Sequence, residues 1–579
     1  MLRYYLFHII LFFCISFLVW CDTYYITEFG NNNNDGSQTF PWREVRALHS
    51  KTFNPGDQIL FECGGVYPGT ATLYGSGSEL NPILIQSYGS GDKPHLIGNI
   101  NQSILLDISS IQNIKINNLH FSHSGLNGSI KHKYGINVSP NTVGEHNQYS
   151  FIGCDFSNIQ GYDGQPANES DSTDHHTSVA INMNLLDNDI NPRWFNNVEV
   201  KECTFSNIDG IGFWIKDSSC NISDFRRNGT EYKPSLNVIF ENNYGTNCYR
   251  NLCRVNGTDG ALIQFNVHDG TTEGSAIWPF NTKDTLVQYN LFMNLYRDVA
   301  DAYVCHFDYN CEDTIMQYNV GYKVEGGLVE IISHSGYYGF QTGAIARYNL
   351  GVDVGFRNKN NSAGILLSGN VNEAKVYNNT CVFYQEPVYK SISFSNFGAN
   401  QGPNANSNFK WPYNCKIYNN IFYATGPTYV NHNALQIGID GFGNNSIGNE
   451  LSNNLIYAPQ GYSTSISPYK IRPLEAWNGQ NADPNVVKQD PLMISPDSAD
   501  FSELRGFKPS WNQIVDYIED KFKIAFGSPA YNQGTVILDD DGTDLFSNMV
   551  NAGTNPSIGF HEYNQDLTGD FDQDKLPDW

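Results

Sequence analysis

The stretch 284–319, DTLVQYNLFMNLYRDVADAYVCHFDYNCEDTIMQYN, opens and closes on nearly the same seven residues. DTLVQYN and DTIMQYN are short, β-branched and alternating, the pattern of a half-buried strand, and no helical periodicity separates them. Working outward, QFN at 264–266, RYN at 347–349, and YNN at 377–379 and 418–420 repeat the ending. Counted from the shared Asn, taken as Asn378 and Asn419 in the last two, the spacings are 24, 29, 30, 29 and 41. Weaker copies read LHFSHSG at 119–125, CDFSNIQG at 154–161, CTFSNIDG at 203–210 and SNN at 452–454. Units of this size with two or three short strands each predict an all-β solenoid, a parallel β-helix whose rungs bury one another's faces. Asn side chains repeated at one turn would hydrogen-bond from rung to rung and tolerate left-handed backbone angles.

Composition agrees. The chain has 579 residues and a formal charge of −25. Its 35 Tyr, 35 Phe and 9 Trp exclude a disordered acidic tail. Such acidity argues against nucleic acid and anionic membrane as partners. MLRYYLFHIILFFCISFLVWC, residues 1–21, reads as a secretory signal peptide cut before Asp22, with an uncleaved anchor as the alternative. The mature protein is therefore expected to be secreted, free of membrane and monomeric. Ten cysteines remain after the cut, read as structural thiols or disulfides, with Cys248/Cys253 and Cys305/Cys311 the local candidates. Ten glycosylation sequons, among them Asn137, Asn256 and Asn378, predict a glycoprotein.

Residues 22–100 are expected to form an N-terminal cap, with a short helix near Trp42–His49, and the first rungs. The central β-helix is expected over 101–457, with insertions near 162–195 and 385–412. A closing segment follows at 458–565, where SWNQIVDYIEDKFKIAF predicts a helix, and then an acidic tail at 566–579. The opening YYITEFGNNNNDGSQTFPW…FNPGDQILFECGGVY, the closing NADPNVVKQDPLMISPDSADF and GSPAYNQG, and the central DAYVCHFDYNCEDTIMQYNVGYKVEGG resemble secreted right-handed β-helix proteins of the pectate-lyase-like superfamily. That resemblance implies a single-stranded right-handed solenoid acting on polysaccharides. The superfamily includes hydrolases, lyases and non-catalytic surface proteins, so the chemistry must come from the site.

Asp301 lies eleven residues after Asn290, and Glu330 eleven after Asn319, which predicts stacking on adjacent rungs roughly 4.8 Å apart. Carboxyls that close repel, and one should stay protonated, as glycoside hydrolysis requires. The catalytic candidates are Asp301, Asp308, Glu325 and Glu330. Substrate would be held by Trp278, Asp269, Tyr303, His306, Tyr309, Tyr322, Lys323 and Tyr337, with Glu273 and Tyr338 beside them. The expected activity is glycoside hydrolysis of a neutral or weakly charged polysaccharide, with no required cofactor. A lyase is the alternative. It would set Lys323, Arg347, Arg357, His306 or His334 against a uronate. A non-catalytic glycan-binding or coat protein is the third reading. Calcium has one candidate site in the tail, where Asp570, Asp572, Asp574 and Asp578 offer spaced oxygens but Lys575 replaces the turn glycine. His175 and His176, with Asp171 and Asp174, are a weaker metal candidate.

Overall fold

The computed structural model describes residues 21–563, except 126–131, 162–177, 186–191, 217–232, 272–273, 297–300, 335–340, 357–361, 385–388, 396, 398–410, 425–427, 432–447, 459–470, 473–482, 539, 541 and 551–554. Residues 1–20 of the expected signal peptide and the expected acidic tail at 566–579 lie outside the described residues.

The architecture is almost entirely β and solenoid-like. The chain visits three sheets in turn, each visit adding a strand beside the previous one. Ile83–Tyr88 lies in the first sheet, His95–Gly98 in the second and Ile104–Ser110 in the third; Ile114–Asn117 then returns to the first. The first sheet has 15 strands, reaching Glu450–Ser452, and the second has 13, reaching Leu455–Tyr457. An eight-stranded sheet ends at Ile277–Phe280, and a six-stranded one follows it along the chain from Tyr303–Phe307. Among the described residues the strands pair in parallel, except Thr428–Asn431 with Ile471–Arg472, and the closing segment adds isolated antiparallel bridges at Met493–Ile524 and Thr543–Met549. Period-2 alternation decides what is buried. In Arg193–Lys201, Val198 and Val200 enter the core while Glu199 and Lys201 stay outside. One apolar core of this kind runs from Tyr24 to Ile456.

A column of buried asparagines holds one corner of the stack. Asn243, Asn266, Asn290, Asn319, Asn349, Asn379, Asn420 and Asn454 are each fully buried. From Asn266 onward each Oδ1 accepts from the backbone N–H and Nδ2 of the Asn one rung earlier, while Asn243 Oδ1 accepts from the Cys203 N–H. Asn319 Oδ1, for example, takes them from Asn290 at 3.2 and 2.9 Å. The same Nδ2 also reaches backbone carbonyls, here Gln288 O at 2.8 Å and Ile263 O at 3.1 Å. Asp483 ends the column, accepting from Asn453 N, Asn454 N and Asn454 Nδ2.

The backbone detail differs from the expectation. The left-handed residue is the one before each Asn: Phe265, Tyr289, Tyr318 and Tyr348 have φ between 52° and 55°. In YNN that place is taken by Asn378 and Asn419, so Asn379 and Asn420 are the stacked ones and the repeat shifts by one residue. The left-handed corner points its side chain outward, and Phe265, Tyr289, Tyr318 and Tyr348 stack at 5.0–5.8 Å.

Those rings begin a second apolar layer. Its other side is the closing segment, whose helix α1, Trp511–Phe522, starts at a Ser510–Gln513 capping box and buries Trp511, Ile514, Val515, Ile518 and Phe522. At the other end the expected cap helix is a 3₁₀ turn over Val45–Ser50 that buries Val45, Ala47 and Leu48.

Several expectations change. The region near 162–195 contains Val179–Asn184, a full member of the third sheet because Val179, Ile181 and Met183 have neighbours to pack on. The region near 385–412 likewise contains Tyr389–Ser395. None of the ten described cysteines is in a disulfide; eight are buried thiols inside the stack. Asn378 is buried and donates to Ser557 O and Gly559 O, so its sequon is not a glycosylation site in the folded chain. Asn137 and Asn256 are buried as well.

The Asn column predicts a stability cost. Replacing Asn319 by Leu strips two buried donors of Asn290 of their acceptor, so N319L should lower the unfolding free energy by about 2–4 kcal/mol in a denaturant titration. An N319L protein as stable as wild type would show that the column contributes little.

Candidate active site

The strand Tyr303–Phe307 and the turn after it carry most of the polar groups. Its register partner in the next rung is Gly327–Ser333, pairing Tyr303 with Gly327 and His306 with Glu330. This corrects the expected stacking of Asp301 on Glu330. The arm from Asn290 to this strand is five residues longer than the arm from Asn319, so an equal count of eleven lands at Asp301, five residues short of His306, the true partner of Glu330.

Asp301 nevertheless reaches the pair. Asp301, His306 and Glu330 each bring a ligand atom within 4.8 Å of the others, a small cluster that could coordinate a divalent ion. Asp301 is half-buried, while His306 and Glu330 are fully buried. Its backbone has φ of 33°, in the left-handed region that Asp tolerates better than most residues. His306 Nδ1 meets Glu330 Oε2 at 2.9 Å. Burial opposes a charge on His306, but the bond and charge of Glu330, with Asp301 and Asp308, outweigh it and raise its pKa to about 9. His306 Nε2 is buried without a hydrogen-bond partner.

Asp308, two residues on, is 3% exposed and accepts a hydrogen bond at Oδ2 from Trp278 Nε1–H. Burial pushes its carboxyl up to about 6, and Asp301 adds to the rise; His306, Trp278 and the Tyr309 N–H pull the other way. Trp278 also meets His306 edge-on at 5.4 Å. Tyr309 stacks near Phe397 at 6.2 Å and meets His334 at 6.3 Å, forming an aromatic side to the site. Phe397, 40% exposed, belongs to the expected insertion and carries no sequence signal of its own. Glu325 sits at the corner beside this strand, since the Gly326 N–H donates to Ala302 O one rung earlier.

Other expected substrate ligands are elsewhere. Tyr303 is fully buried with its ring against Gly326 and Gly327, where any Cβ would collide with it. Asp269 pairs with Arg505 at 2.8 Å and accepts from Asn294 at 2.6 Å, anchoring the closing segment. Tyr322 is stacked on Phe501 at 4.6 Å, and Lys323 lies over Tyr322 at 5.1 Å. Arg347 is buried, bonded to Gln317 Oε1 and Tyr377 Oη. Tyr303 and Arg347 face inward, and Asp269, Tyr322 and Lys323 lie on the side that the closing segment contacts. Tyr337, Tyr338, Glu273, Arg357, His175, His176, Asp171, Asp174 and the calcium candidates Asp570, Asp572, Asp574 and Asp578 lie outside the described residues.

No protein-family profile matches the chain, and no curated protein does. Among solved structures, it is similar to the native GH136 lacto-N-biosidase from Eubacterium ramulus at 19% identity and a TM-score of 0.51, covering 63% of this chain and 64% of that one. The selenomethionine form of that protein gives 19% identity and a TM-score of 0.53 over 70% and 68%. A mannuronic acid specific polysaccharide family 6 lyase from human gut microbiota gives 14% identity and a TM-score of 0.43 over 82% and 91%. The likeness to the lacto-N-biosidase is one of fold, and the aligned part spans just under two thirds of the native enzyme. Among the described residues no helix is long and apolar enough to cross a membrane.

The His306–Glu330 pair makes stability depend on pH. A histidine raised from 6.5 to about 9 on folding adds stability below pH 6.5 that is lost as the pH rises through about 9. The span corresponds to about 3 kcal/mol. E330Q should weaken that dependence between pH 6.5 and 9, leaving only the part due to Asp301 and Asp308, and be less stable at pH 6. Denaturant titrations of both proteins across this range check it, and parallel profiles would refute the pairing.

Proposed function

We propose that this protein is a secreted glycoside hydrolase on a right-handed β-helix related to the pectate-lyase-like superfamily. Asp308 is its general acid and Asp301 its nucleophile or base. The observation that carries the reading is Asp308 itself, a buried carboxyl aimed by an indole N–H and able to hold its proton to about pH 6. Asp301 stands on the same strand's approach, in reach of the same imidazole. Tyr309 and Phe397 offer the aromatic faces on which a pyranose ring packs. A lacto-N-biosidase shares the fold, so the scaffold is able to carry glycoside hydrolysis.

The lyase reading has less support. Lys323 and Arg347, its expected cations, are occupied beneath the closing segment. The charge of −25 also does not attract a polyuronate. A neutral or weakly charged glycan is the proposed substrate, and the reaction needs no metal cofactor.

Incubation of the purified protein with a panel of neutral oligosaccharides should release new reducing ends without unsaturated products. D308N and D301N should each lower kcat by at least about 100-fold. Unsaturated products, or full activity in D308N, would overturn the proposal.

Its pH profile follows from the acid. The protonated form of Asp308 is the working one, so activity should fall above about pH 6, approaching tenfold per unit. A rate that keeps climbing to pH 8 would exclude Asp308 as the acid.

A further inference from the structure

A column of side chains also runs along the eight-stranded sheet, whose last strand precedes the one that carries His306. Trp214 pairs with Arg254, and Arg254 with Trp278, on three successive rungs. The Arg254 guanidinium carbon stands 5.3 Å from the centroid of the Trp214 ring and 4.6 Å from that of Trp278. The cation is therefore layered between two indoles. Trp278 in turn touches His306 edge-on and donates its Nε1–H to Asp308. All three members of the column are only partly buried. Trp278 thus depends on its neighbours along the column, as well as on core packing, for its angle.

We propose that Arg254 is a positioning residue for the reaction: by stacking on the Trp278 indole it fixes the angle at which Nε1–H holds the Asp308 carboxyl. The guanidinium suits this task because it is planar and pairs with an aromatic face through both charge and dispersion. Trp214, on its far side, keeps the guanidinium flat. Arg250 also stands over the Trp278 ring but farther off, at 5.8 Å, so removing Arg254 takes away the closer cation and loosens the indole, and a small rotation is enough to take Nε1–H off the carboxylate. The acid then loses its orientation toward the glycosidic oxygen, while the sugar-binding faces of Tyr309 and Phe397 are untouched. The loss falls on kcat rather than KM. This inference rests on Asp308 acting as the general acid, but the link from Arg254 to the indole does not.

The test uses the full chain with ¹⁵N-labelled tryptophan. The Trp278 indole resonance, assigned by its absence in W278F, should shift in D308N, which alters the acceptor. It should shift the same way in R254M and less in R254K. In kinetics, R254M should lower kcat by about 10–100-fold with KM within about threefold. R254M placed in a W278F background should cost little further, because both act through one contact. An unmoved indole resonance in R254M, or losses in the double variant that multiply, would overturn the inference. If R254M does not fold, R254K carries the same measurements. An active D308N enzyme would refute the hydrolase mechanism while leaving the resonance test of the Arg254–Trp278 link intact.

Discussion

Everything in this molecule hangs from the hydrogen bond between the amide of one rung and the amide of the next. A solenoid corner exposes backbone N–H groups that no neighbouring strand can satisfy, and here the corner is sealed from water. The side-chain carbonyl of the next rung's Asn takes both the backbone N–H and the side-chain N–H of the Asn below. Asn is the short side chain that carries a carbonyl acceptor and two N–H donors together, so it can pass the pattern on. Each rung's height and rotation are set by the rung above. The strands leaving the corner inherit a common register, and so do the outward columns that carry the chemistry.

That inheritance explains what could be read from the chain alone. The repeat of Gln-Tyr-Asn shows a stack, because the constraint acts at one fixed place per rung. YNN misleads by one residue, since Asn suits both the left-handed corner and the ladder behind it, and only the hydrogen bonds tell Asn378 from Asn379. Counting outward from the ladder works while the arms are equal. Trp214 follows Cys203, Arg254 follows Asn243 and Glu330 follows Asn319 by eleven residues, and Trp278 follows Asn266 by twelve. His306 follows Asn290 by sixteen, and that longer arm displaced Asp301 from the expected pairing. Arg254 was therefore legible by offset, whereas Phe397 was not.

The acidic side chains divide by what faces them. Asp269 and Asp500 lie beneath or within the closing segment and meet Arg505, Tyr322 and the Ser502 N–H, where their charge fastens that segment to the stack. Asp308 and Glu330 sit away from that segment, where Glu330 meets the His306 imidazole and the burial of Asp308 and its repulsion from Asp301 are eased by that imidazole and the Trp278 indole. Sequence carries no mark of this difference. Asp269 and Asp308 are both acidic residues beside aromatic ones, and the distinction arises from which face of the stack the C-terminal chain covers.

Asp483 has a consequence beyond the rung it closes. An amide hands the pattern forward, but a carboxylate only accepts, and its oxygens are already taken by Asn453, Asn454 and the Asn485 N–H. A rung from a second molecule set against this end would find no donor to continue the column. Solenoids otherwise invite end-to-end polymerisation, because each terminal rung offers the template that the next copy needs. Here a change of one atom, from amide nitrogen to carboxylate oxygen, turns a self-propagating pattern into one of fixed length.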